Sequence, residues 1–205
     1  DSIILCTTDN TEDDKLCEIA QSYDISYFRG SEHNKWDRWL GACKQFNIDF
    51  FVNADGDDLF YDSKLADMCF KQYLSNPSNK TVIDGQGLYN DVYGFDREAI
   101  ETIYNMTLKV DIEPHNLIQF LNNNDSGLKV EKIQKVPKLF EKDNTRMTLD
   151  YPEDFLFFKT VIEHFQGRDL NLEDIREYLK ANSDVVDINY FLEKSWKENQ
   201  LMDVL

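Results

Sequence analysis

An acidic segment with a glycine at its centre follows directly on an apolar run in this chain. The run is Ile48 to Val52, and Asp55, Gly56, Asp57 and Asp58 come just after it. A strand that ends in a tight acidic loop presents hard oxygen ligands at the sheet edge where open α/β folds bind their ligands. The pattern therefore predicts a divalent-cation site for a phosphate-bearing substrate. An ordinary turn is the alternative, because Asp and Gly are common turn residues.

A further acidic residue, Asp150, follows the segment Thr145 to Leu149, which we predict to be a short strand. If both strands belong to one parallel sheet, their carboxyl ends face the same way, so that Asp57 and Asp150 share one cation. Proteins commonly hold Mg²⁺ with one or two carboxylates, while substrate phosphates and water complete the coordination. Physical reasoning from the sequence alone favours a simpler role for Asp150 as a helix N-cap, since Tyr151 and Pro152 open the next predicted helix.

Basic and small residues end the second predicted strand and begin the helix after it. Arg29, Gly30 and Ser31 form a turn, and Asp37 and Arg38 lie in the helix. Such a turn offers backbone N–H groups, a hydroxyl and a guanidinium to a phosphate or a base edge. An ordinary strand-to-helix turn with surface charges explains the same residues and is favoured by the sequence alone.

The elements that position these residues alternate between strand and helix along the first half of the chain. This order predicts a mostly parallel sheet with right-handed connections and helices on both faces. Two amphipathic helices are predicted after Asn171, separated near Asn182 and Ser183, and they pack on the sheet domain or on a partner subunit. The predicted strands are Ile3–Thr8, Ser26–Phe28, Ile48–Val52, Thr81–Asp84, Asp91–Phe95, Leu128–Val136 and Thr145–Leu149. The predicted helices before Asn171 are Thr11–Ser22, His33–Phe46, Ser63–Leu74, Arg97–Asn105, Glu113–Asn122 and one from Pro152 to His164.

Composition restricts the classes of partner. The 205 residues include 22 basic and 39 acidic side chains, and the formal charge of −17 disfavours nucleic acid and anionic lipid. A polyanionic substrate must therefore be attracted locally by a cation, backbone N–H groups or a few placed Arg and Lys. No apolar run is long enough for a membrane span, so no membrane insertion is predicted. The four cysteines form no Cys-x-x-Cys pair, which predicts reduced thiols and a cytoplasmic protein.

Several segments, taken in order, resemble the motifs of a known family. They are Thr7–Asn10, Phe28–Glu32, Asp37–Arg38, Val52–Asp62, Gly87–Phe95 and Arg146–Asp154. Together they resemble the cytidylyltransferases of the spore-coat polysaccharide biosynthesis type. Those enzymes are relatives of the 3-deoxy-manno-octulosonate and acylneuraminate cytidylyltransferases. The match spans residues 3 to 165 and is more specific than any single motif.

This resemblance implies a nucleotide-diphospho-sugar transferase fold of the GT-A-like, Rossmann-like kind. It also implies a reaction in which a sugar or small-molecule nucleophile attacks the α-phosphate of CTP and releases pyrophosphate. Asp57 and Asp150 would be the catalytic carboxylates and would carry Mg²⁺, with Mn²⁺ as the other candidate. The nucleotide-side residues would be Arg29, Gly30, Ser31, Asp37, Arg38 and Asp55, and the acceptor-side residues would be Asp84, Gly87 and Asp91.

The chain departs from the family pattern in ways that shape our expectations. Family members open with a strand and a Gly- and Arg-containing triphosphate loop, and we expect that segment to precede Asp1. The proline usual after the Gly-Asp pair is replaced around Leu59 and Phe60, and an expected Asp and Glu of the acceptor strand are Tyr89 and Asp91. We predict an α/β domain over residues 1–168, a helical appendage over residues 169–205, and a homodimer as one possible assembly.

Two other functions remain open at this point. Asp55-Gly56-Asp57 also looks like the Asp-x-Asp of GT-A-type glycosyltransferases, which use Mn²⁺ or Mg²⁺ with a sugar nucleotide. Without a triphosphate loop, the chain would instead suit a non-catalytic domain that binds nucleotide sugars or acts as a scaffold. Release of pyrophosphate from CTP, release of a nucleoside diphosphate from a sugar nucleotide, or no turnover distinguishes the three functions.

Overall fold

The structure is a computed structural model that describes residues 2–86, 91–110, 117–123, 125–134, 145–166, 168 and 170–196. The chain divides into two compact units that alternate along the sequence. The first unit comprises Asp1–Val52, Gln72–Asp84 and Gly94–Lys132, and the second comprises Asn53–Lys71, Gly85–Tyr93 and Ile133–Leu205. Among the described residues, no helix is both long and apolar enough to cross a membrane.

Strands and helices alternate through the first half of the chain, as predicted. The strands are β1 Ile4–Thr8, β2 Ser26–Gly30, β3 Phe50–Val52, β4 Thr81–Gln86, β5 Asp91–Asp96 and β6 Lys129–Lys132. The helices are α1 Asp14–Ser22, α2 Lys35–Phe46, α3 Ser63–Ser75, α4 Arg97–Val110, α5 Leu117–Asn123, α6 Pro152–His164, α7 Leu172–Ala181 and α8 Ser183–Val186. A single 3₁₀ turn, Thr11–Asp13, precedes α1.

The strands form two sheets. Strands β1 and β2 pair in parallel, and a four-stranded sheet has the order β3-β5-β4-β6. Strands β4 and β6 are parallel, whereas β5 runs antiparallel to β3. The prediction of an α/β fold rich in parallel strands is therefore confirmed, with β5 as the reversed strand.

Aromatic side chains build the core of the first unit. Trp36 and Trp39 of α2 meet edge to face, and both rings lie against Phe95 of β5. Helix α2 also packs closely on β2, because a Cβ at Gly41 would lie 2.3 Å from the Phe28 ring. This packing fixes α2, and with it Asp37 and Arg38, against the strand that carries Arg29 and Gly30.

A second core holds the C-terminal helices of the second unit on α6. Its buried residues come from the loops before α3 and before α6, from α6 and its C-cap, and from the helices after it. The helices after Asn171 therefore share a core with α6, while the predicted boundary between residues 168 and 169 stays a prediction. The buried members are Phe60, Met147, Phe157, Phe158, Val161, Phe165, Ile175, Leu179 and Val185.

The predicted strand at Thr145–Leu149 is wrong, because residues 145–150 have no regular secondary structure. Their alternation of polar and apolar residues reflects an extended loop, and the Leu149 N–H donates to the Asp57 carbonyl instead of joining a strand ladder. The second predicted C-terminal helix is also wrong as a single element. Helix α8 ends at Val186, and a separate 3₁₀ turn occupies Tyr190–Leu192.

Candidate active site

Asn53 fixes the start of the acidic loop of the second unit. Its side chain is 5% exposed, its Oδ1 accepts from the Tyr93 N–H at 2.7 Å, and its own N–H donates to the Tyr93 carbonyl. The Tyr61 hydroxyl donates to the Asn53 carbonyl at 2.7 Å. Because the side chain and the backbone of Asn53 are both hydrogen-bonded, the exposed carboxylates that follow it leave the strand in a defined direction.

Asp57 and Asp150 meet at one hydroxyl group. Thr148 Oγ1 lies 3.1 Å from Asp57 Oδ2 and 3.1 Å from Asp150 Oδ2. A hydroxyl carries a single proton, so Thr148 donates to only one of the two carboxylates at a time. The two acids are brought together as predicted, although the loop that carries Asp150 is not a strand.

Arg146 holds Asp150 from the other side. Its Nη2 donates to Asp150 Oδ2 at 2.6 Å and to Asp154 Oδ2 at 3.0 Å, while its Nε donates to Asp154 Oδ1 at 2.9 Å. The Arg146 and Asp154 side chains are fully buried, whereas the Asp150 side chain is 34% exposed. One guanidinium therefore joins an interior carboxylate to the carboxylate at the surface.

Asp154 is the acceptor at the start of α6. Its Oδ2 accepts from the N–H groups of Asp150 and Tyr151 at 3.0 and 2.9 Å. The predicted N-cap role of Asp150 is therefore wrong, because Tyr151 is the N-cap and the Asp154 carboxylate binds the free amides. Burial acts to raise the pKa of Asp154. The hydrogen bonds from Arg146, the Asp150 N–H, Asn189 and the Tyr151 N–H outweigh burial and lower this pKa below its ordinary value.

The oxygen atoms around Thr148 are of the kind that a hard divalent cation prefers. Within the described part of the chain, every hydrogen bond to the Asp150 carboxylate ends on Oδ2, which leaves Oδ1 open. The described residues contain no group of three or more His, Cys, Asp or Glu that would hold a metal alone. Two carboxylates that compete for one proton nevertheless fit Mg²⁺, which takes its other oxygens from substrate phosphates and water.

Arg29 of the predicted nucleotide side lies in the first unit and is tied to the loop after β1. Its Nε donates to the Thr8 carbonyl at 2.9 Å, and its Nη2 donates to the Asn10 carbonyl at 2.6 Å. Its Nη1 pairs with Asp14 at 2.6 Å. In the same loop, Asp13 Oδ2 accepts from the Thr8 N–H at 3.0 Å. Arg29 therefore shapes the loop at the carboxyl end of β1 by binding its carbonyl groups.

The remaining nucleotide-side residues of the first unit lie beside this loop. The Arg38 Nη1 donates to the carbonyls of Ser31 and Glu32, and its Nε is buried without a hydrogen-bond partner among the described residues. A Cβ at Gly30 would lie 3.3 Å from Arg38 Cγ, so Gly30 allows Arg38 to approach the backbone. Asp37 lies in the first turn of α2, where its N–H is capped by Asn34.

Of the residues predicted to face the acceptor, the structure describes some fully and others only in part or not at all. Asp84 is 3% exposed in β4, where it lies opposite Lys132 of β6. Asp91 begins β5, but its side chain lies outside the described residues, as does Gly87. Asp55 lies in the acidic loop, where its Oδ2 accepts from the Asn53 side chain at 3.4 Å.

Sequence reasoning assigned no role to Thr148, Arg146 or Asn189. For Arg146 a usable signal exists, because the acids at the fourth and eighth residues after it are Asp150 and Asp154. For Thr148 the signal is its position two residues before Asp150, which puts both side chains on one side of an extended segment. Asn189 carries no such signal, since its partner Arg146 is 43 residues away.

Comparisons of sequence give two curated relatives. No family model matches the chain. It is 28% identical to an uncharacterized protein of Methanocaldococcus jannaschii over 203 residues, which are 97% of this chain and 81% of that protein. It is 23% identical to the spore coat polysaccharide biosynthesis protein SpsF of Bacillus subtilis over 194 residues, which are 90% of this chain and 77% of that protein.

Comparisons of structure give solved neighbours of the same fold. A cytidylyltransferase from Leptospira borgpetersenii superposes with a TM-score of 0.76 at 26% identity, covering 89% of this chain and 77% of that one. The fold is also that of a CMP:2-keto-3-deoxy-manno-octonic acid synthetase solved with CTP, with a TM-score of 0.55, 12% identity, and coverage of 80% and 81%. The resemblance inferred from the motifs is confirmed, because the chain is similar both to a solved cytidylyltransferase and to a spore-coat polysaccharide biosynthesis protein.

Proposed function

We propose that this chain transfers CMP from CTP to a sugar or a related small acceptor, with release of pyrophosphate, in the biosynthesis of a surface polysaccharide or glycan. Relationship to a cytidylyltransferase and to a spore-coat polysaccharide protein supports the choice of reaction and of pathway class. The same relationships disfavour a glycosyltransferase and a non-catalytic scaffold.

The meeting of Asp57 and Asp150 at Thr148 carries the proposal. Both carboxylates lie 3.1 Å from the same hydroxyl, and each is exposed enough to reach a ligand. Gly56 adds to this argument, because a Cβ there would meet no described residue within 4 Å and its φ is not positive. The fold thus does not require glycine at this position, and open space beside Asp57 suits close approach of a triphosphate.

The chemistry is a substitution at the α-phosphorus. An acceptor hydroxyl oxygen forms the new bond to that phosphorus. The bond from the α-phosphorus to the oxygen shared with the β-phosphate breaks, pyrophosphate leaves with that electron pair, and the hydroxyl proton passes to solvent. Asp57 and Asp150 would hold the divalent cation, which neutralises phosphate charge and aligns the reacting groups when it is bound. Arg29 and Arg38 stay predicted residues of the nucleotide side, and Asp84 and Asp91 stay predicted residues of the acceptor side.

The substitution Asp57→Asn tests the proposed function. We expect kcat for pyrophosphate release from CTP to fall more than about 100-fold, because loss of even an outer partner of a metal ligand costs 10–100-fold. The assay uses purified protein, Mg²⁺, CTP and a panel of acidic and neutral sugars. Asp67→Asn is the matched control, since Asp67 lies on the exposed surface of α3, where Lys71 at 3.8 Å is its ion-pair partner among the described residues.

Two results would count against the proposal. Unchanged turnover in Asp57→Asn would remove this carboxylate from the site. Release of a nucleoside diphosphate from a sugar nucleotide, without pyrophosphate release from CTP, would establish the glycosyltransferase reaction instead. Thermal unfolding with and without Mg²⁺ and CTP checks nucleotide binding without an acceptor, and we expect the two together to raise the Tm of the wild type.

The proposal also includes a cellular location and an assembly. None of the four cysteines, all of which lie in the described part of the chain, forms a disulfide, and Cys17, Cys43 and Cys69 are buried, which a reducing compartment favours. We therefore expect the enzyme in the cytoplasmic fraction of lysed cells, and recovery in another fraction would contradict this. A homodimer is one assembly open to the protein, and light scattering on the purified protein tests it directly.

A further inference from the structure

We propose that the segment Asn189 to Trp196 positions the Asp150 carboxylate for catalysis by clamping Arg146. This inference rests on the proposed function for the role of Asp150 and adds a set of residues outside every motif of the family. The segment does not reach the substrate in this proposal. Asn189, Glu193 and Trp196 are therefore positioning residues that act through Arg146.

Asn189 is the first part of the clamp. It is 0% exposed, and its Nδ2 donates to the Arg146 carbonyl at 3.2 Å and to Asp154 Oδ1 at 2.9 Å. Asn189 thus bonds the backbone of Arg146 and also the Asp154 carboxylate, to which the Arg146 guanidinium donates. An amide with two such bonds fixes the distance between Arg146 and Asp154 from outside the loop.

Trp196 and Glu193 are the second part of the clamp. The Arg146 guanidinium lies 5.4 Å from the Trp196 ring centre and 5.3 Å from that of Tyr151. Its Nη1 lies 3.7 Å from Glu193 Oε2, an ion-pair distance too long for a hydrogen bond. A guanidinium against two aromatic rings, with acids around its edge, has little freedom to rotate.

The clamp acts on Asp150 because one Arg146 nitrogen is shared. Nη2 lies 3.0 Å from buried Asp154 and 2.6 Å from half-exposed Asp150. Any rotation of the guanidinium that breaks its fork on Asp154 also moves this nitrogen relative to Asp150. Since Oδ2 of Asp150 is the atom held, the direction of Oδ1 depends on the position of Arg146. The C-terminal segment therefore sets the direction in which Asp150 presents its open oxygen.

Variants at Trp196 test this clamp in the full-length protein. Trp196→Ala removes the ring and should lower kcat about tenfold, whereas Trp196→Phe keeps an aromatic face and should recover most of the activity. Ser195→Ala is the matched control, because Ser195 is an exposed neighbour in the same segment. Asn189→Ala should lower kcat by about 10- to 100-fold. Thermal unfolding of each variant shows whether it is folded at the assay temperature.

Three further readouts separate positioning from general stability. In an Asp150→Asn background, Trp196→Ala should have no further effect on the residual rate, because residues that act as a unit are not additive. Hydrogen exchange should also accelerate at the N–H groups of Asp150 and Tyr151 in Trp196→Ala, since both donate to Asp154. Calorimetry with Mn²⁺ and CTP should show metal binding weakened about tenfold in Trp196→Ala, independently of turnover.

The outcomes are distinct. If Trp196→Ala keeps wild-type kcat, Mn²⁺ binding and amide exchange, the clamp is refuted. Equal losses in the Asp150→Asn and wild-type backgrounds would also refute it, because the segment would then act elsewhere. If the wild type releases no pyrophosphate from CTP, the proposed function fails, while the exchange and metal-binding measurements still decide whether the segment holds Asp150.

Discussion

Arg29 and Arg146 show how one residue type serves two different purposes in this molecule. Arg29 belongs to the first unit, its side chain is 28% exposed, and two of its three bonds go to backbone carbonyls. Arg146 belongs to the second unit, is fully buried, and its side chain bonds only to carboxylates. A guanidinium that binds carbonyls fixes the course of a loop, whereas one that binds carboxylates fixes where negative charge is presented.

Burial also separates the two arginines in energy. An exposed ion pair such as Arg29 with Asp14 is screened by water and contributes little to stability. Removal of one partner from a buried pair leaves an uncompensated charge in the interior and costs far more. The difference predicts a ranking of effects, which the following substitutions test from the largest to the smallest.

Arg146→Ala should have the largest effect. The substitution leaves Asp154 buried without its main cation, and we expect the free energy of unfolding to fall by about 3–5 kcal/mol. Chemical denaturation followed by circular dichroism measures this change. Arg168→Ala is the control, because Arg168 is exposed and its guanidinium only approaches the Phe165 ring at 5.8 Å. A loss below about 1 kcal/mol at Arg146 would mean that the buried cluster tolerates an unpaired acid.

Asp154→Asn tests the same cluster through pH. The folded-state pKa of Asp154 lies below the ordinary value of 3.8, so its contribution is complete above that value and is lost as pH falls through the folded pKa. We expect the variant to be less stable at neutral pH, with a difference from wild type that shrinks in acid. Thermal unfolding from pH 7 to about pH 3 measures the difference, and a gap independent of pH would contradict the assignment.

In the first unit, Asp13 is an acid whose pKa is also lowered, and it therefore affects the same pH experiment. Hydrogen bonds from the Thr8 and Thr7 hydroxyls and from the Thr8 N–H lower the pKa of Asp13. Asp13 therefore also loses its hydrogen bonds as pH falls. This loss lowers the stability of both the wild type and the Asp154→Asn variant in acid. The difference between wild type and Asp154→Asn, rather than either curve alone, isolates the second unit.

Arg29→Ala should have the smallest effect on stability. We expect a smaller loss of unfolding free energy than for Arg146→Ala, because water replaces the exposed part of its contacts. Its local effect should be visible as faster hydrogen exchange in residues 8–14, where the loop loses its tie to β2. If Arg29→Ala destabilises the protein as much as Arg146→Ala, burial does not govern the ranking and the comparison fails.

Much of the fold followed from the sequence because its signals are local. The apolar period of α2 and the short apolar run at β3 predicted both elements. Each element begins two residues later than predicted and ends at the predicted residue. The segment Thr145–Leu149 misled the prediction because strand-like alternation also suits an extended loop. Whether such a segment joins a sheet depends on which backbone groups it meets, and those lie far away in the chain.

The candidate site was predicted in part, and partly for the wrong reason. Asp57 and Asp150 were expected at a common edge of a parallel sheet, but a loop and the Thr148 hydroxyl bring them together. The role of Arg29 on the nucleotide side stays a prediction, and three of its donors bind groups of its own unit. Partners such as Asn189 are set by tertiary packing, and no local pattern indicates them.

The separation in sequence between Arg146 and Asn189 has a consequence for how the protein is made. Domains form in order of synthesis, and Asn189 emerges from the ribosome only after the loop that contains Arg146, because it lies 43 residues further along the chain. Until Asn189 and Trp196 have emerged, the guanidinium and Asp154 lack part of their covering and remain in contact with water. A nascent chain halted before residue 189 thus carries the motif segments from Thr7 to Asp154 without the residues that complete the burial of Arg146 and Asp154.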